Sequence, residues 1–174
     1  MSGLLAIRQF PDPILTRPAH RIESLTAEVD RLIQALIATM HHHPRCVGLA
    51  APQVGQPLRL AVMDATRHPK APSDAHGLLI LINPVIRSSE AGQAGREGCL
   101  SIPDFTANVH RPHRLHLEAQ DRSGNVYAVW LEGFEAVIAQ HEVDHLDGRL
   151  FLDRVTNVKT DVFRRKSYRD PEAR

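Results

Sequence analysis

The stretch Gln140-His141-Glu142-Val143-Asp144-His145 contains two histidines four residues apart with a glutamate between them. On a helix, residues i and i+4 lie one above the other on the same face, so both imidazole rings can reach one metal ion. The carboxylate of Glu142 would project beside them, where it could accept a proton from water. The pattern therefore predicts a helix that carries two ligands of a metal site.

The flanking sequence supports this helix. Phe134, Val137 and Ile138 fall at helical spacing before the first histidine. Gly133 marks the predicted start of the helix and Gly148 its predicted end. Two imidazoles and a carboxylate on a buried face would be costly without partners, and a metal ion removes that cost. The alternative, two core histidines with ordinary hydrogen bonds, suits a spaced pair less well.

The whole chain limits the classes of protein to consider. Its 174 residues predict one domain, residues 1–174, with a proper core. A formal net charge of +1 argues against a specific nucleic-acid partner. The sequence has no apolar run of about 20 residues and no signal peptide at residues 1–10, so no membrane partner is expected. The cysteine usage, Cys46 and Cys99 only, favours a cytoplasmic protein.

The remaining patterns predict an α+β fold, with antiparallel β-sheets packed around the central His-Glu-x-x-His helix. The strongest helix signal is an N-terminal amphipathic one, with apolar residues recurring from Val29 to Met40 and Ser24 as its N-cap. Short strands are expected at residues 58–63, 78–82, 85–86, 115–119 and 126–131. We expect a loop at 45–55 and a turn region at 88–95.

A catalytic site of the zinc type needs three protein ligands and one open position. The segment Glu97-Gly98-Cys99-Leu100-Ser101 is the obvious source of the third, since Cys99 lies between a glycine and an extended segment. Cys46 lacks such a setting and is expected to be a small buried hydrophobe. The consecutive histidines at 41–43 would point in different directions, so we expect a solvated helix end there.

With these motifs the chain resembles the bacterial-type peptide deformylase family. Residues 48–53, 97–101 and 140–145 correspond to its three motifs and occur in its order, and residues 10–15 and 82–84 are also similar. The resemblance runs from about residue 5 to about residue 151. His-Glu-x-x-His alone is shared with many proteases, whereas the three motifs in this order are highly specific.

The resemblance implies a function and a set of site residues. The enzyme would hydrolyse the N-formylmethionyl end of a nascent polypeptide, releasing formate. It would hold one divalent metal ion, Fe2+ in most members, which Zn2+, Ni2+ or Co2+ can replace. The metal ligands would be Cys99, His141 and His145. Glu142 would act as the general base and acid, while Gln53 and the backbone amide of Leu100 would stabilise the oxyanion. Gly48 would lie along the substrate backbone. The methionine pocket would be lined by Val47, Phe134, Val137 and Ile138.

The chain departs from the family at a few positions. Cys46 stands where the family usually has the first glycine of Gly-x-Gly, Gly95 replaces a larger apolar residue, and residues 103–108 differ. These changes bear on substrate preference more than on chemistry, and a related formamide stays open as the substrate.

Two other classes of protein share parts of the pattern. A zinc endopeptidase usually takes its third ligand downstream of the helix, where this chain offers Asp153 but no histidine. A non-catalytic metal site or a degenerate binding protein would need neither Glu142 nor Gln53. The basic tail, about residues 160–174, could contact the ribosome surface, although a solvated terminus is the simpler expectation.

Overall fold

An antiparallel sheet carries most of the regular structure in the computed structural model, which describes residues 3–165. Within these residues the sheet has six strands, of which five follow chain order in space and the sixth pairs with β4. The strands are β1 Gly48–Ala50, β2 Leu60–Met63, β3 Leu79–Cys99, β4 Ile102–Gln120, β5 Val126–Glu132 and β6 Val162–Arg164. The α+β class and the antiparallel pairing are confirmed, and the predicted sheets form one.

Helix α1, Ala27–His42, is the predicted N-terminal amphipathic helix. Its buried face packs against the inner side of β1 and β2, through Ile33, Leu36 and Met40 among others. Each such side chain contributes about 1.5–3 kcal/mol when fully buried. The N-cap is Thr26, not the predicted Ser24, because Thr26 directly precedes the first turn and its hydroxyl accepts the N–H of Val29.

Helix α2, Gly133–Leu146, contains the His-Glu-x-x-His motif and is buried on nearly all sides. It packs among β1, β2, β4 and β5, which makes it the centre of the larger core cluster. Gly148 follows its end with φ +71°, and a Cβ there would lie 2.7 Å from the carbonyl carbon of Arg17. Only glycine fits both the conformation and the space, as the predicted helix end requires.

The segment 88–95 is not a turn region, as predicted, but the middle of the long strand β3. It pairs residue by residue with β4, and its side chains are exposed on both faces, so it lacks the alternation that marks a half-buried strand. Exposed cross-strand ion pairs, such as Arg114 with Glu90, add to the ladder. The β3–β4 hairpin places Cys99 beside the end of α2.

The segment 45–55 is also more ordered than the predicted loop. Its residues form β1 and a 3-10 helix, Ala51–Val54. Leu49 and Ala50 pair with Val62 and Ala61 of β2, a long-range partner that local composition cannot reveal.

The C-terminal part of the described chain is anchored. After a short helix α3, Val158–Asp161, strand β6 pairs with residues 105–107 of β4. The first residues of the tail expected over about 160–174 thus belong to α3 and β6, and its residues 166–174 lie outside the described residues. Between residues 3 and 165, no helix is both long and apolar enough to cross a membrane.

Candidate metal centre

One sulfur and two imidazole rings meet between the end of β3 and helix α2. The ligand atoms of Cys99, His141 and His145 all lie within 4.8 Å of one another, and Sγ of Cys99 is 3.3 Å from Nε2 of His145. Cys99 and His145 are buried, and His141 is half-buried. The structure thus brings together the three residues predicted as ligands from two distant segments.

The donor set fits a divalent transition metal. A thiolate and an imidazole nitrogen each present a lone pair, so at 3.3 Å they need a proton or a cation between them. Metal–ligand distances of about 2.0–2.3 Å to one shared ion suit atoms this close. Burial opposes ionisation of Cys99, but the charge of His145 and the hydrogen bonds of both histidines hold its pKa well below the usual range. The site therefore favours the thiolate that a metal ligand requires.

Glu97 orients the first histidine. Its Oε2 accepts the Nδ1 proton of His141 at 2.9 Å, which leaves Nε2 for the metal site. Arg111 donates to both oxygens of Glu97, at 2.8 and 3.0 Å, and also to Asp144 at 2.6 Å. Burial would raise the pKa of Glu97, but the hydrogen bonds from His141 and Arg111 outweigh it and lower the pKa to about 2. The carboxylate is therefore held ionised behind the ring.

Sequence reasoning missed this supporting network. Arg111 lies in the middle of β4 among several other basic residues, and nothing local distinguishes it. Its burial, 3% exposed, follows only from the pairing of β3 with β4 and the packing of α2 across them.

Glu142 lies between the ligands and the backbone of β1. It is buried, and its Oε2 has no hydrogen-bond partner among the described residues. A Cβ on Gly48 would lie 2.8 Å from Cδ of Glu142, so the glycine leaves the space that the carboxylate occupies. Burial raises the pKa of Glu142 to about 7, against the opposing charges of His141 and His145. A carboxyl group in this setting can both accept and return a proton near neutral pH.

Gln53 reaches the sulfur from the 3-10 helix. Its Oε1 accepts the N–H of Ala50 at 2.9 Å, which fixes the side-chain amide. The Nε2 group then points to Sγ of Cys99 at 3.3 Å and to Oγ of Ser101 at 3.2 Å. Leu100 follows Cys99 in the turn between β3 and β4, at the edge of the same cleft. Two predicted oxyanion donors thus belong to segments that flank the sulfur.

A cleft of about 630 Å³ opens beside this cluster. The predicted substrate-binding residues line it, namely Val47, Gly48, Phe134, Val137 and Ile138. The ring of Phe134 is covered by His68, at 4.7 Å between centroids, and by Lys70, whose Nζ is 5.8 Å from its centroid. These two come from the loop after β2, which sequence reasoning did not connect with the site because nothing in that loop matches a motif.

Cys46 packs against the core cluster of α1, as a small hydrophobe would, but it is only half-buried and also lines the cleft. Its thiol donates to the carbonyl oxygen of Gly48 at 3.2 Å. Burial, and next the charge of Glu142, raise its pKa to about 12. The residue is therefore a neutral thiol at the cleft wall and not a fourth ligand.

Comparisons of the sequence and of the structure with known proteins all match peptide deformylases. The family model for polypeptide deformylase matches residues 4–161. The peptide deformylase of Rhizobium meliloti is 42% identical over 158 residues, which are 90% of this chain and 88% of that protein. A crystal structure of a peptide deformylase from Legionella pneumophila has a TM-score of 0.81 at 35% identity and covers 90% of this chain and 89% of its own. A Met-Ala-Ser-bound deformylase from Acinetobacter baumannii has a TM-score of 0.82 at 32% identity, with 89% and 100% covered.

Proposed function

The chain belongs to the polypeptide deformylase family, and we propose roles for the residues with which this metal-dependent hydrolase removes the N-formyl group from nascent polypeptides. The observation that carries the proposal is the convergence of Cys99, His141 and His145 on one point of a cleft that also contains Glu142. We propose that the described residues form one catalytic unit, since residues of the sheet, of α2 and Arg165, which follows β6, all line this cleft.

Cys99, His141 and His145 are the proposed metal ligands. When bound, a divalent cation acts as a Lewis acid that polarises the formyl oxygen and lowers the pKa of water. We propose Fe2+ as the ion, with Zn2+, Ni2+ or Co2+ as substitutes, because a mixed thiolate and imidazole set accepts all four. Glu97 and Arg111 support the proposal, since they hold the ring of His141 in one tautomer.

Glu142 is the proposed proton carrier. Its carboxylate accepts a proton from the attacking water at Oε2 and then delivers that proton to the leaving amine. The buried Oε2 supports this role, since no group in residues 3–165 forms a hydrogen bond with it and it can receive a proton from substrate water. Its position against Gly48 holds the carboxylate on the substrate side of the helix.

Gln53 and the backbone N–H of Leu100 are the proposed donors to the developing oxyanion. The amide of Gln53 is held by Ala50 and directed to the cluster, so it needs no reorganisation when charge develops. A donor of this kind typically contributes about 10²–10³ in rate. We expect Gln53→Ala to lower kcat while KM changes little, and a loss confined to KM would contradict the role.

The apolar wall of the cleft is the proposed methionine pocket. Phe134, Val137 and Ile138 present one face of α2 to the cleft, and Val47, in the segment before β1, lines it as well. The Acinetobacter baumannii deformylase binds the peptide Met-Ala-Ser, which begins with methionine. This supports a methionyl product here. Nascent chains are made in the cytoplasm, where we place the enzyme.

The function is tested by formate release from formyl-Met-Ala-Ser, with unformylated Met-Ala-Ser as the peptidase control. We expect formate from the first peptide and no cleavage of the second. Glu142→Gln should keep its metal and lose turnover, whereas Cys99→Ala should lose the metal itself. Peptide-bond cleavage, or full turnover by Glu142→Gln, would contradict the proposal and favour an endopeptidase or another formamide hydrolase.

Ribosome contact by the basic tail stays a prediction from the sequence. Most of that tail lies outside the described residues. Cosedimentation with ribosomes of the full chain and of a chain that ends at residue 165 tests it, and equal binding would reject it.

A further inference from the structure

The mouth of the cleft is lined by basic side chains that the reaction does not use. The cations among its lining residues are Arg45, Lys70, Arg96 and Arg165. The only acids among the described lining residues are Glu97 and Glu142, both buried on the floor. Glu97 is already paired with Arg111. Among residues 3–165, the side chains that line the mouth therefore include more cations than acids.

Arg165 is held in this mouth by the C-terminal strand. Its backbone N–H donates to the carbonyl oxygen of Asp104 at 2.7 Å, directly after β6 pairs with β4. Its guanidinium lies against Gly98, where a Cβ would be 3.4 Å from Cζ of the arginine. Gly98 precedes the proposed ligand Cys99, so the cation lies within about one or two extended residues of the reaction centre.

Arg96 also lines the mouth, and two of its nitrogen atoms donate hydrogen bonds to neighbouring side chains. Its Nε donates to Asn108 at 3.0 Å and its Nη1 to Thr106 at 3.2 Å. The guanidinium also stacks on Phe163, with Cζ 3.6 Å from the ring centroid. These contacts fix the plane of the group, and Nη2 forms no hydrogen bond with residues 3–165. No carboxylate within residues 3–165 forms an ion pair with Arg96 or Arg165.

The rim around Phe134 has the same sign of charge. Burial lowers the pKa of His68, and the charges of Lys70 and Arg45 lower it further. An anion that approaches the cleft thus meets cations near Phe134 as well as near Gly98. Planar guanidinium groups bind carboxylates in the most directional way available to a side chain.

Resting on the proposed function, we propose that Arg165 and Arg96 form a subsite for a substrate carboxylate, and that the enzyme favours formylated chains with Asp or Glu at the second or third residue. Side chains alternate along an extended peptide. With methionine against the α2 wall, the following side chain faces the β3–β4 wall, which carries Arg96 and against which the guanidinium of Arg165 lies at Gly98.

The test compares kcat/KM for formyl-Met-Asp-Ser, formyl-Met-Asn-Ser and formyl-Met-Lys-Ser, and for the peptides with Asp, Asn or Lys at the third residue. All are amidated at the C-terminus, so that the only carboxylate in any of these peptides is the one on the side chain. We expect Asp to exceed Asn by about threefold to fivefold at one of the two positions, the scale of an exposed ion pair. Formyl-Met-Ala-Ser with a free C-terminus, compared with its amide, tests the terminal carboxylate as a second source.

Variants locate the effect. Arg165→Gln and Arg96→Gln should each reduce the Asp:Asn ratio towards one, and Arg165→Glu should favour Lys. Arg164→Gln is the matched control, because Arg164 is the exposed neighbour on β6 and does not line the cleft. The Asn peptide is the reference within each variant, so that a general loss of fold or turnover cancels in the Asp:Asn ratio.

Three results would overturn the proposal. They are an Asp:Asn ratio near one in the unaltered enzyme at both positions, a ratio that persists in both glutamine variants, and a uniform gain for all peptides in Arg165→Gln. The last would mean that Arg165 obstructs the cleft. Failure to release formate from any peptide would instead reject the proposed function, so the two failures are distinguishable.

Discussion

Oε2 of Glu97 lies 2.9 Å from Nδ1 of His141, and this hydrogen bond decides which ring nitrogen faces the cleft. Glu97 is itself held by Arg111, which also binds Asp144 one residue before His145. The two proposed imidazole ligands are therefore tied to one buried network of charges behind them. A substitution in that network should therefore alter the metal site although no proposed ligand is replaced.

Glu97→Gln should weaken metal binding. The amide keeps the shape of the side chain but lacks the charge that fixes the tautomer of His141, and such changes typically cost about 10–100-fold in metal affinity or activity. Competition with a chromogenic chelator measures the affinity. Glu90→Gln is the control, since Glu90 is an exposed acid of the same strand that pairs with Arg114. Equal affinity in the two variants would mean that Glu97 does not position the ligand.

Gly48→Ala should lower kcat while leaving the metal in place. The new Cβ would lie 2.8 Å from Cδ of Glu142, so the carboxylate must move from where it handles the proton. General acid–base groups contribute about 10²–10⁴ in rate, and we expect a loss of at least about tenfold. Gly3→Ala, where nothing lies within 4 Å, should be silent. Unchanged steady-state kinetics in Gly48→Ala would show that the carboxylate tolerates the shift.

Arg111→Met should destabilise the fold. It leaves two buried carboxylates, Glu97 and Asp144, without their shared cation, and breaking a buried pair costs about 3–5 kcal/mol. Urea unfolding gives the free energy. The comparison is Arg87→Met, whose partner Glu118 is exposed in part, with an expected cost of at most about 1 kcal/mol. Similar losses in the two variants would contradict the distinction between buried and exposed pairs.

Removal of the metal should lower the melting temperature. An ion that binds only the folded state adds about 2.7 kcal/mol of stability at a free concentration of 100 times its Kd. Calorimetry under anaerobic conditions, which protect a thiolate site from oxidation, should show a lower Tm with chelator and recovery with Fe2+ or Zn2+. Cys99→Ala should melt at one temperature in all three conditions. A chelator-sensitive Tm in that variant would place the ion elsewhere.

Several parts of the fold follow from local patterns. The spacing from Val29 to Met40 is a 3.6-residue period, and it predicts α1 because a helix must bury one stripe. The hairpin of β4 and β5 follows from alternation around a turn at residues 121–125. The middle of β3 could not be predicted in this way, because it is exposed on both faces and is held by its partner strand.

The sequence by itself determined the chemistry of this protein. It contains segments with Gln53, with Cys99 and with the histidine pair, in an order that belongs to one family. Only the tertiary structure decided what surrounds them. Arg111 became a buried support and Arg165 a residue of the cleft because strand pairing and helix packing bring together segments far apart in the chain. Motifs record which groups are present, whereas burial and electrostatic environment depend on neighbours that only folding supplies.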